Sequence, residues 1–298
     1  MKNRDAFSGY HPLVNFFYFG LTIGFSMFLM HPVCLIISLV SAVSYHIKLN
    51  GRGSLRFLVR YALPVLLLTA LINPAFNHRG TVILWYLPTG NPLTLESILY
   101  GIAAAVMLIS ILLWFSCYTA VMTSDKFVYL FGRIIPAMSL VLSMTLRFVP
   151  KFKAQFEAVR EAQAGLGRDG TGGSPWKRLR CAITCFSVMV TWSLENAIET
   201  ADSMKGRGYG LKGRTAFSIY TLNDRDKDVL LWLSFCGIYL LSGNFSGGLF
   251  WRYFPSIRGV LTEPVTISFQ IIYFAMCATP LIINRKEDQT WKSLQSKI

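Results

Sequence analysis

Long apolar runs separated by short polar loops dominate the chain. A helix needs about 20 apolar residues, at about 1.5 Å each, to cross about 30 Å of hydrocarbon. Four such runs occur, at 60–76, 97–122, 228–243 and 264–284. The stretch from Leu13 to Tyr45 is too long for one span, and His31-Pro32 interrupts it, so it predicts a hairpin of two spans. The pattern therefore predicts an all-α polytopic membrane protein with about six transmembrane helices.

The composition agrees with a membrane location. Of the 298 residues, 53% are apolar and 15% are charged, whereas about a quarter of a soluble domain is charged. The net charge of +14 would suit either nucleic acid or the cytoplasmic face of a membrane, and the apolar runs favour the lipid bilayer over nucleic acid. No small-residue cleavage site follows the first apolar stretch, so we expect that stretch to be retained as a membrane helix.

Basic residues in short loops predict the orientation. They lie on both sides of the N-terminal hairpin: Lys2, Arg4, Lys48, Arg52 and Arg56. The connection 77–96 has few basic residues and hairpin-like turn signals, so we expect it outside the cell. Six crossings then place the N- and C-termini in the cytoplasm, with the protein in the inner or plasma membrane.

The segment 127–149 is apolar but contains Arg133 and Pro136. As a membrane span it would bury a charge at a cost of a few kcal/mol, and it would place the strongly basic region 147–214 outside the cell. We therefore expect an amphipathic or re-entrant segment at the membrane interface.

Two long cytoplasmic helices are predicted between the fourth and fifth spans. The first is expected from Pro150 to Gln163, before the glycine-rich stretch AGLGRDGTGGSP. The second is expected to begin with Ser174 as N-cap and Pro175 as the first helical residue, and to stop at a left-handed Gly206.

The predicted parts of the chain are a membrane part of about four spans at 1–126, the interfacial segment with the cytoplasmic helices at 127–226, and two spans with a basic tail at 227–298.

The sequence contains no recognisable catalytic constellation. Its four histidines are scattered, and Cys181 and Cys185 share a helix face without histidine or acidic neighbours, which makes a poor metal site. The segment GYGLKGRT at 208–215 has P-loop spacing, but it has arginine where lysine is needed and it follows a helix. Ionisable residues are nearly absent from the spans, although proton-coupled carriers usually keep them there. These features favour a non-catalytic component without a metal or cofactor over a stand-alone secondary carrier or a membrane-bound enzyme.

Several segments spread over nearly the whole chain carry a resemblance to one family: YHPLVNFFYFG, HP at 31–32, NPAFNHRGTVILW, LTLESILYG, SMTLRFVPKF, REAQ at 160–163 and ADSMKGRGYG at 201–210. The last two are the more specific. The chain resembles the transmembrane T component of energy-coupling factor (ECF) transporters, the family that includes cobalt- and nickel-uptake permeases. The resemblance implies a scaffold that transmits the motion of two ABC-type ATPase subunits, which bind the ATP, to a separate substrate-binding membrane subunit. The substrate, whether a vitamin, a metal ion or another small nutrient, stays open.

In that family, two cytoplasmic coupling helices each end in an Ala-Arg-Gly signature that inserts into a groove of one ATPase subunit. The second signature falls on Gly206, Arg207 and Gly208, where alanine has become glycine and the arginine is kept. Without the resemblance, Arg207 is equally well explained as a cap, since a cation near a helix C-terminus stabilises it by about 0.3–1 kcal/mol.

The first signature falls on Gly165, Leu166 and Gly167 by its spacing from REAQ, and there the arginine is lost. Either Arg168 substitutes for it from a shifted loop, or the chain engages its two ATPases unequally. The resemblance thus assigns ATPase coupling to the following residues: Arg160, Gly165, Gly167, Arg168, Ala201, Gly206, Arg207 and Gly208.

Overall fold

The structure is a computed structural model that describes residues 5–78, 80–86, 92–132, 136–167, 175–211, 220–260 and 263–295. Its contacts divide the chain into two units, each described by itself. Unit 1 comprises Met1–Thr123 and Tyr220–Ile298, and unit 2 comprises Ser124–Ile219. The three-part division predicted above follows function rather than contacts, and it stays a prediction.

Helices make up most of the described chain. In chain order they are α1 (Pro12–Phe28), α2 (Pro32–Asn50), α3 (Arg52–Phe57), α4 (Leu63–Phe76), α5 (Leu95–Val121), α6 (Ser124–Gly132), α7 (Pro136–Gly165), α8 (Pro175–Gly206), α9 (Asp224–Phe245) and α10 (Pro264–Gln295). A 3-10 turn at Phe7–Gly9 precedes α1, and a π-helical turn at Leu58–Ala62 joins α3 to α4. The predicted all-α fold is confirmed.

Six helical segments of the described chain are long and apolar enough to cross a membrane: Pro32–Asn50, Leu58–Phe76, Leu95–Val121, Pro175–Gly206, Asp224–Phe245 and Pro264–Gln295. The protein is therefore polytopic, as predicted. The set differs from the expected one, because α1 has only 17 residues and α8 contains a sufficiently apolar stretch of 18 residues. The cytoplasmic location of α8 stays a prediction, since length and composition do not decide it.

The break predicted in the N-terminal hairpin is present. Helix α1 ends at Phe28, and α2 begins at Pro32 with His31 as its N-cap. Proline suits the first helical position because its missing N–H would have no partner there. One local sequence signal therefore separates the two helices.

An aromatic cluster around Trp114 forms the centre of unit 1. The Trp114 side chain is fully buried, and its ring centroid lies 6.0 Å from Tyr18 and 6.5 Å from both Phe19 and Tyr45. These rings come from α1, α2 and α5, and tilted or edge-to-face contacts add stability beyond the area they bury. The indole Nε1 donates a hydrogen bond to Ser38 Oγ at 3.0 Å. The cluster thus joins three helices and satisfies its buried polar atom.

A short hairpin precedes α5. Its strands, β1 (Ile83–Tyr86) and β2 (Pro92–Thr94), are antiparallel. The Glu96 carboxylate, in the first turn of α5, accepts hydrogen bonds from the Thr81 hydroxyl at 2.6 Å and from the N–H groups of Thr81 and Val82 at 3.1 and 3.2 Å. The hairpin-like connection expected within 77–96 is present in its described residues, and its location outside the cell stays a prediction.

A second antiparallel pair, β3 (Trp251–Arg252) with β4 (Arg258–Gly259), lies between α9 and α10.

In unit 2, α7 and α8 pack as an antiparallel pair. The ring of Phe152 on α7 lies 5.3 Å from the ring of Trp192 on α8. Further along α7, Val159 packs near Cys185, which comes earlier on α8. Because later residues of α7 meet earlier residues of α8, the two helices run in opposite directions. Cys185 is buried in this contact, where free cysteine acts as a small apolar side chain.

The predicted start of the first long helix at Pro150 is wrong. Helix α7 begins at Pro136, passes through Pro150 and ends at Gly165. Proline lacks an N–H and crowds the preceding turn, which usually ends a helix. Here the residues just after the proline are held against α8, where Lys151 Nζ donates to Asn196 Oδ1 at 2.8 Å. This tertiary contact supports the continuous helix.

The second long helix begins where it was predicted, at Pro175. Its expected N-cap, Ser174, lies outside the described residues, as does Arg133 within 127–149. The interfacial location of 127–149 stays a prediction.

We expect Trp114→Ala to lower the free energy of unfolding by about 3–5 kcal/mol, because it leaves a cavity between three helices. Phe115→Ala is the matched control, since Phe115 follows on the same helix and is 49% exposed; it should cost much less. Denaturant unfolding of the purified protein in detergent measures both. Equal losses would contradict a core centred on Trp114.

Candidate functional site: the C-terminal ends of two long helices

The C-terminal end of α8 closes in a Schellman motif. The Gly208 N–H donates to the Lys205 carbonyl at 2.9 Å, and the Tyr209 N–H donates to the Met204 carbonyl at 3.0 Å. Gly208 has φ 79°, in the left-handed region. These are the two hydrogen bonds of the motif, and they satisfy carbonyls of the last turn while the chain leaves the helix axis. Arg207 thereby occupies the C-cap position.

The left-handed stop residue is Gly208, and the prediction of Gly206 is wrong. Helix α8 does end at Gly206, but Gly206 does not have a positive φ. The C-cap residue Arg207 lies between the last helical residue, Gly206, and the left-handed residue, Gly208. The two glycines therefore occupy different positions of the cap. The hydrogen-bond pattern selects the second glycine of Gly-Arg-Gly.

The described part of the α7 end matches that of α8. Gly167 has φ 71°, and its N–H donates at 2.9 Å to the carbonyl of Ala164, three residues earlier, as at the end of α8. Leu166 takes the C-cap position that Arg207 holds in α8. The segments 165–167 and 206–208, which the family resemblance assigned as the two signatures, are therefore counterparts in their described backbone geometry.

The two C-cap side chains are both exposed and differ in chemistry. Leu166 is 70% exposed. Arg207 is exposed as well, and no carboxylate in the described part of the chain forms an ion pair with it. The neighbouring pair, Lys205 Nζ to Asp202 Oδ1 at 3.9 Å, is open to solvent and weak. One helix end presents a guanidinium, and the other presents an isobutyl group.

The two helix ends lie far apart. From the contact of Phe152 with Trp192, Leu166 lies 14 residues along α7, and Arg207 lies 15 residues along α8 in the opposite direction. At 1.5 Å per residue, the ends are separated by about 40 Å along the pair. The structure does not bring the two predicted signatures together, so they form two separate sites.

The remaining predicted residues lie in other places. Ala201 is exposed on α8, six residues before Arg207. Arg160 is exposed on α7 in the part that faces Cys185, six residues or about 9 Å before the C-cap. Arg168 lies outside the described residues.

Sequence reasoning missed an apolar groove between α7 and α8. The groove has a volume of about 710 Å³, and among its lining residues are Phe152 and Phe156 on α7 and Ile183, Phe186 and Val190 on α8. The shared helix face of Phe152 and Phe156 is the one signal that indicates it. The α8 residues lie in a run too uniformly apolar to show a face.

The helix ends carry groups that bind rather than react. A guanidinium is always charged, and its planar donors pair with a carboxylate through two parallel hydrogen bonds. Held at the tip of a helix, the exposed Arg207 side chain is able to pair with a carboxylate.

The fold and these ends define a class: a polytopic α-helical membrane protein with exposed, matched helix ends on a separate helical unit. Comparison with known families is more specific. Residues 8–217, well over half of the chain, match the family described as cobalt transport protein, CbiQ. The chain belongs to this family.

Curated relatives agree with the resemblance to T components. Over 112 residues the chain is 31% identical to the energy-coupling factor transporter transmembrane protein EcfT of Bacillus selenitireducens, a match that covers 37% of this chain and 42% of the relative. Over 168 residues it is 27% identical to EcfT 1 of Listeria monocytogenes, covering 52% of this chain and 62% of the relative. The chain thus spans less than two thirds of either relative. The predicted kinship with transmembrane components of ECF transporters is confirmed.

We expect Gly208→Ala to destabilise the end of α8 by about 1–2 kcal/mol, because a side chain is strained in the left-handed region. The new Cβ would also lie 3.0 Å from Leu211 Cδ1. Gly206→Ala, whose Cβ would meet nothing within 4 Å, should be neutral or stabilise the helix by up to about 1 kcal/mol. Hydrogen exchange of amides 204–209 should therefore accelerate in the first variant alone. The reverse order would make Gly206 the left-handed residue.

Proposed function

We propose that the chain is a non-catalytic coupling subunit of an ATP-driven ECF uptake transporter. It passes the closure of two ABC-type ATPase subunits, which bind the ATP, to a separate membrane subunit that binds the substrate. One observation carries the proposal. The described C-caps of two long antiparallel helices match, each exposes its C-cap side chain, and the two ends point in opposite directions.

Arg207 is better explained as a contact to another protein than as a cap. The Schellman hydrogen bonds close the helix through the backbone, without the arginine side chain. Lys205 already provides a cation in the last turn of α8, where positive charge is favourable. The exposed guanidinium is therefore available to a partner carboxylate.

The distance between the helix ends supports two partner subunits. The separation of about 40 Å between the two helix ends exceeds the diameter of a small domain, which is about 30 Å. A single compact contact surface therefore does not cover both ends. The ends belong to helices of 30 and 32 residues that are tied to each other by packing and by a hydrogen bond. An ATPase subunit bound at each end would move the helix pair as one body.

Unit 1 provides the membrane anchor in this proposal. The loops rich in lysine and arginine place both termini in the cytoplasm, in the inner or plasma membrane, because positive charge is retained on that side. The basic region 147–214, which belongs to unit 2, lies in the cytoplasm, where ATPase subunits can reach it. The substrate is a vitamin, a metal ion or another small nutrient, chosen by the substrate-binding subunit.

Arg207→Glu tests the proposal. Reversing one charge of a buried pair costs about 2–5 kcal/mol, because two carboxylates then face each other. We expect the tagged variant to lose one ATPase subunit on purification, or to lose ATP-dependent uptake in proteoliposomes while ATP hydrolysis continues.

Lys153→Glu is the matched control, since it makes the same charge change at an exposed position midway along the helix pair. It should bind both ATPase subunits and support uptake. An Arg207→Glu variant that copurifies with both ATPases and transports normally would contradict the role of Arg207.

A further inference from the structure

We propose that Arg56 and Arg60 bind the phosphate headgroup of an anionic phospholipid, whose acyl chains lie along the exposed leucine face of α4. The site lies in unit 1, where the π-helical turn at Leu58–Ala62 joins α3 to α4. The inference goes beyond the proposed function and does not depend on it, because it concerns the contact of the chain with the lipid bilayer.

The two arginines form a positive patch just before α4. Arg56 lies in the last turn of α3 and Arg60 lies in the π-helical turn, and both are exposed. Residues four apart lie on neighbouring turns of a helix, with Cβ atoms about 5–6 Å apart. The two long side chains are therefore able to reach one phosphate group together.

The positive patch has no counter-charge of its own in the described part of the chain. The segment 51–76 contains no aspartate or glutamate, and neither arginine of the patch belongs to an ion pair among the described residues. Like charges four residues apart on a helix repel each other. A bound anion offsets this repulsion, and the oxygens of a phosphate match the planar donors of a guanidinium.

An exposed apolar face follows the positive patch along the chain. Leu63, Leu67 and Leu71 are each more than half exposed, and their spacing of four places them in one stripe along α4. The segment Leu58–Phe76 is long and apolar enough to cross a membrane, yet only 6% of its apolar stretch is buried within the protein, the smallest share of the six candidate spans in the described chain. This face is therefore available to acyl chains.

Tyr61 lies at the boundary between the charged and the apolar part of this surface. It directly follows Arg60, and its ring is exposed. Tyrosine is enriched where hydrocarbon meets the headgroups, and an arginine at this depth keeps its charged end among the headgroups while its stem contacts hydrocarbon. The order of charged, aromatic and apolar groups matches the headgroup, the interface and the acyl chains of one phospholipid.

A phospholipid with net negative charge complements the whole surface. A free phosphate ion or an acidic protein segment would complement the two arginines alone and leave the leucine stripe uncovered. A zwitterionic lipid would cover the leucine stripe, but its cationic end group would weaken the attraction to the arginines. Both parts of the surface are matched by an anionic headgroup on an acyl chain.

Native mass spectrometry of the purified full-length chain in a neutral detergent tests the inference. The chain is titrated with dioleoylphosphatidylglycerol and, separately, with dioleoylphosphatidylcholine, which has the same acyl chains and no net charge. The wild-type chain should bind the anionic lipid more tightly by about tenfold or more, because each arginine near an anionic headgroup adds to the attraction. An equal concentration of inorganic phosphate should not displace it.

The double variant Arg56→Gln/Arg60→Gln should lose this preference. Lys286→Gln/Lys292→Gln is the matched control, since it removes the same two charges at exposed positions on α10. Both lysines lie more than 20 residues after Pro264, past the length of about 20 residues that crosses the hydrocarbon. The control should keep the preference, and thermal unfolding should show that both variants are folded.

Equal affinity of the wild-type chain for the two lipids would overturn the inference. A preference that survives in Arg56→Gln/Arg60→Gln, or that falls equally in the control, would overturn it as well, because the attraction would then not come from this patch. Displacement of the lipid by an equal concentration of inorganic phosphate would make the patch a site for a free anion. The proposed function stands in each of these cases.

Discussion

Two backbone hydrogen bonds close the last turn of α8, from Gly208 N–H to the Lys205 carbonyl and from Tyr209 N–H to the Met204 carbonyl. They require a left-handed residue directly after the C-cap, a conformation that glycine adopts with the least strain. The chain therefore leaves the helix immediately after Arg207, and this side chain remains at the tip of a long helix. The backbone fixes the position of the proposed contact, and the C-cap side chain fixes its chemistry.

The antiparallel packing of α7 and α8 places the two helix caps at opposite ends of the helix pair. Phe152 against Trp192 and Val159 beside Cys185 set the direction of the pair, so that two similar caps point away from each other. Parallel packing would have placed both caps at one end and offered a single binding surface. The opposed arrangement instead presents two separate helix ends joined by a helix pair, as the proposed coupling of two ATPase subunits requires.

Local signals in the sequence predicted part of this fold and of the site. Proline at the first helical position predicted the start of α8, because this preference depends on the helix end alone, and His31-Pro32 predicted the break before α2. The family resemblance, with the spacing from REAQ, paired the segments 165–167 and 206–208, and their described caps have matching geometry. The continuation of α7 through Pro150 was not predictable, since it depends on contacts with α8, which lies far along the chain. The choice of Gly208 over Gly206 depends on hydrogen bonds that composition does not specify.

Site-specific photo-crosslinking in native membranes tests most directly whether ATPase subunits bind at the two helix ends. A photoreactive residue is placed at position 166, at position 207 and, midway along the helix pair, at position 153, and the crosslinked proteins are identified by mass. Crosslinks to an ATPase from 166 and from 207, with none from 153, are the predicted result. The absence of an ATPase adduct at 207, or an adduct at 153 alone, would contradict coupling through the helix ends.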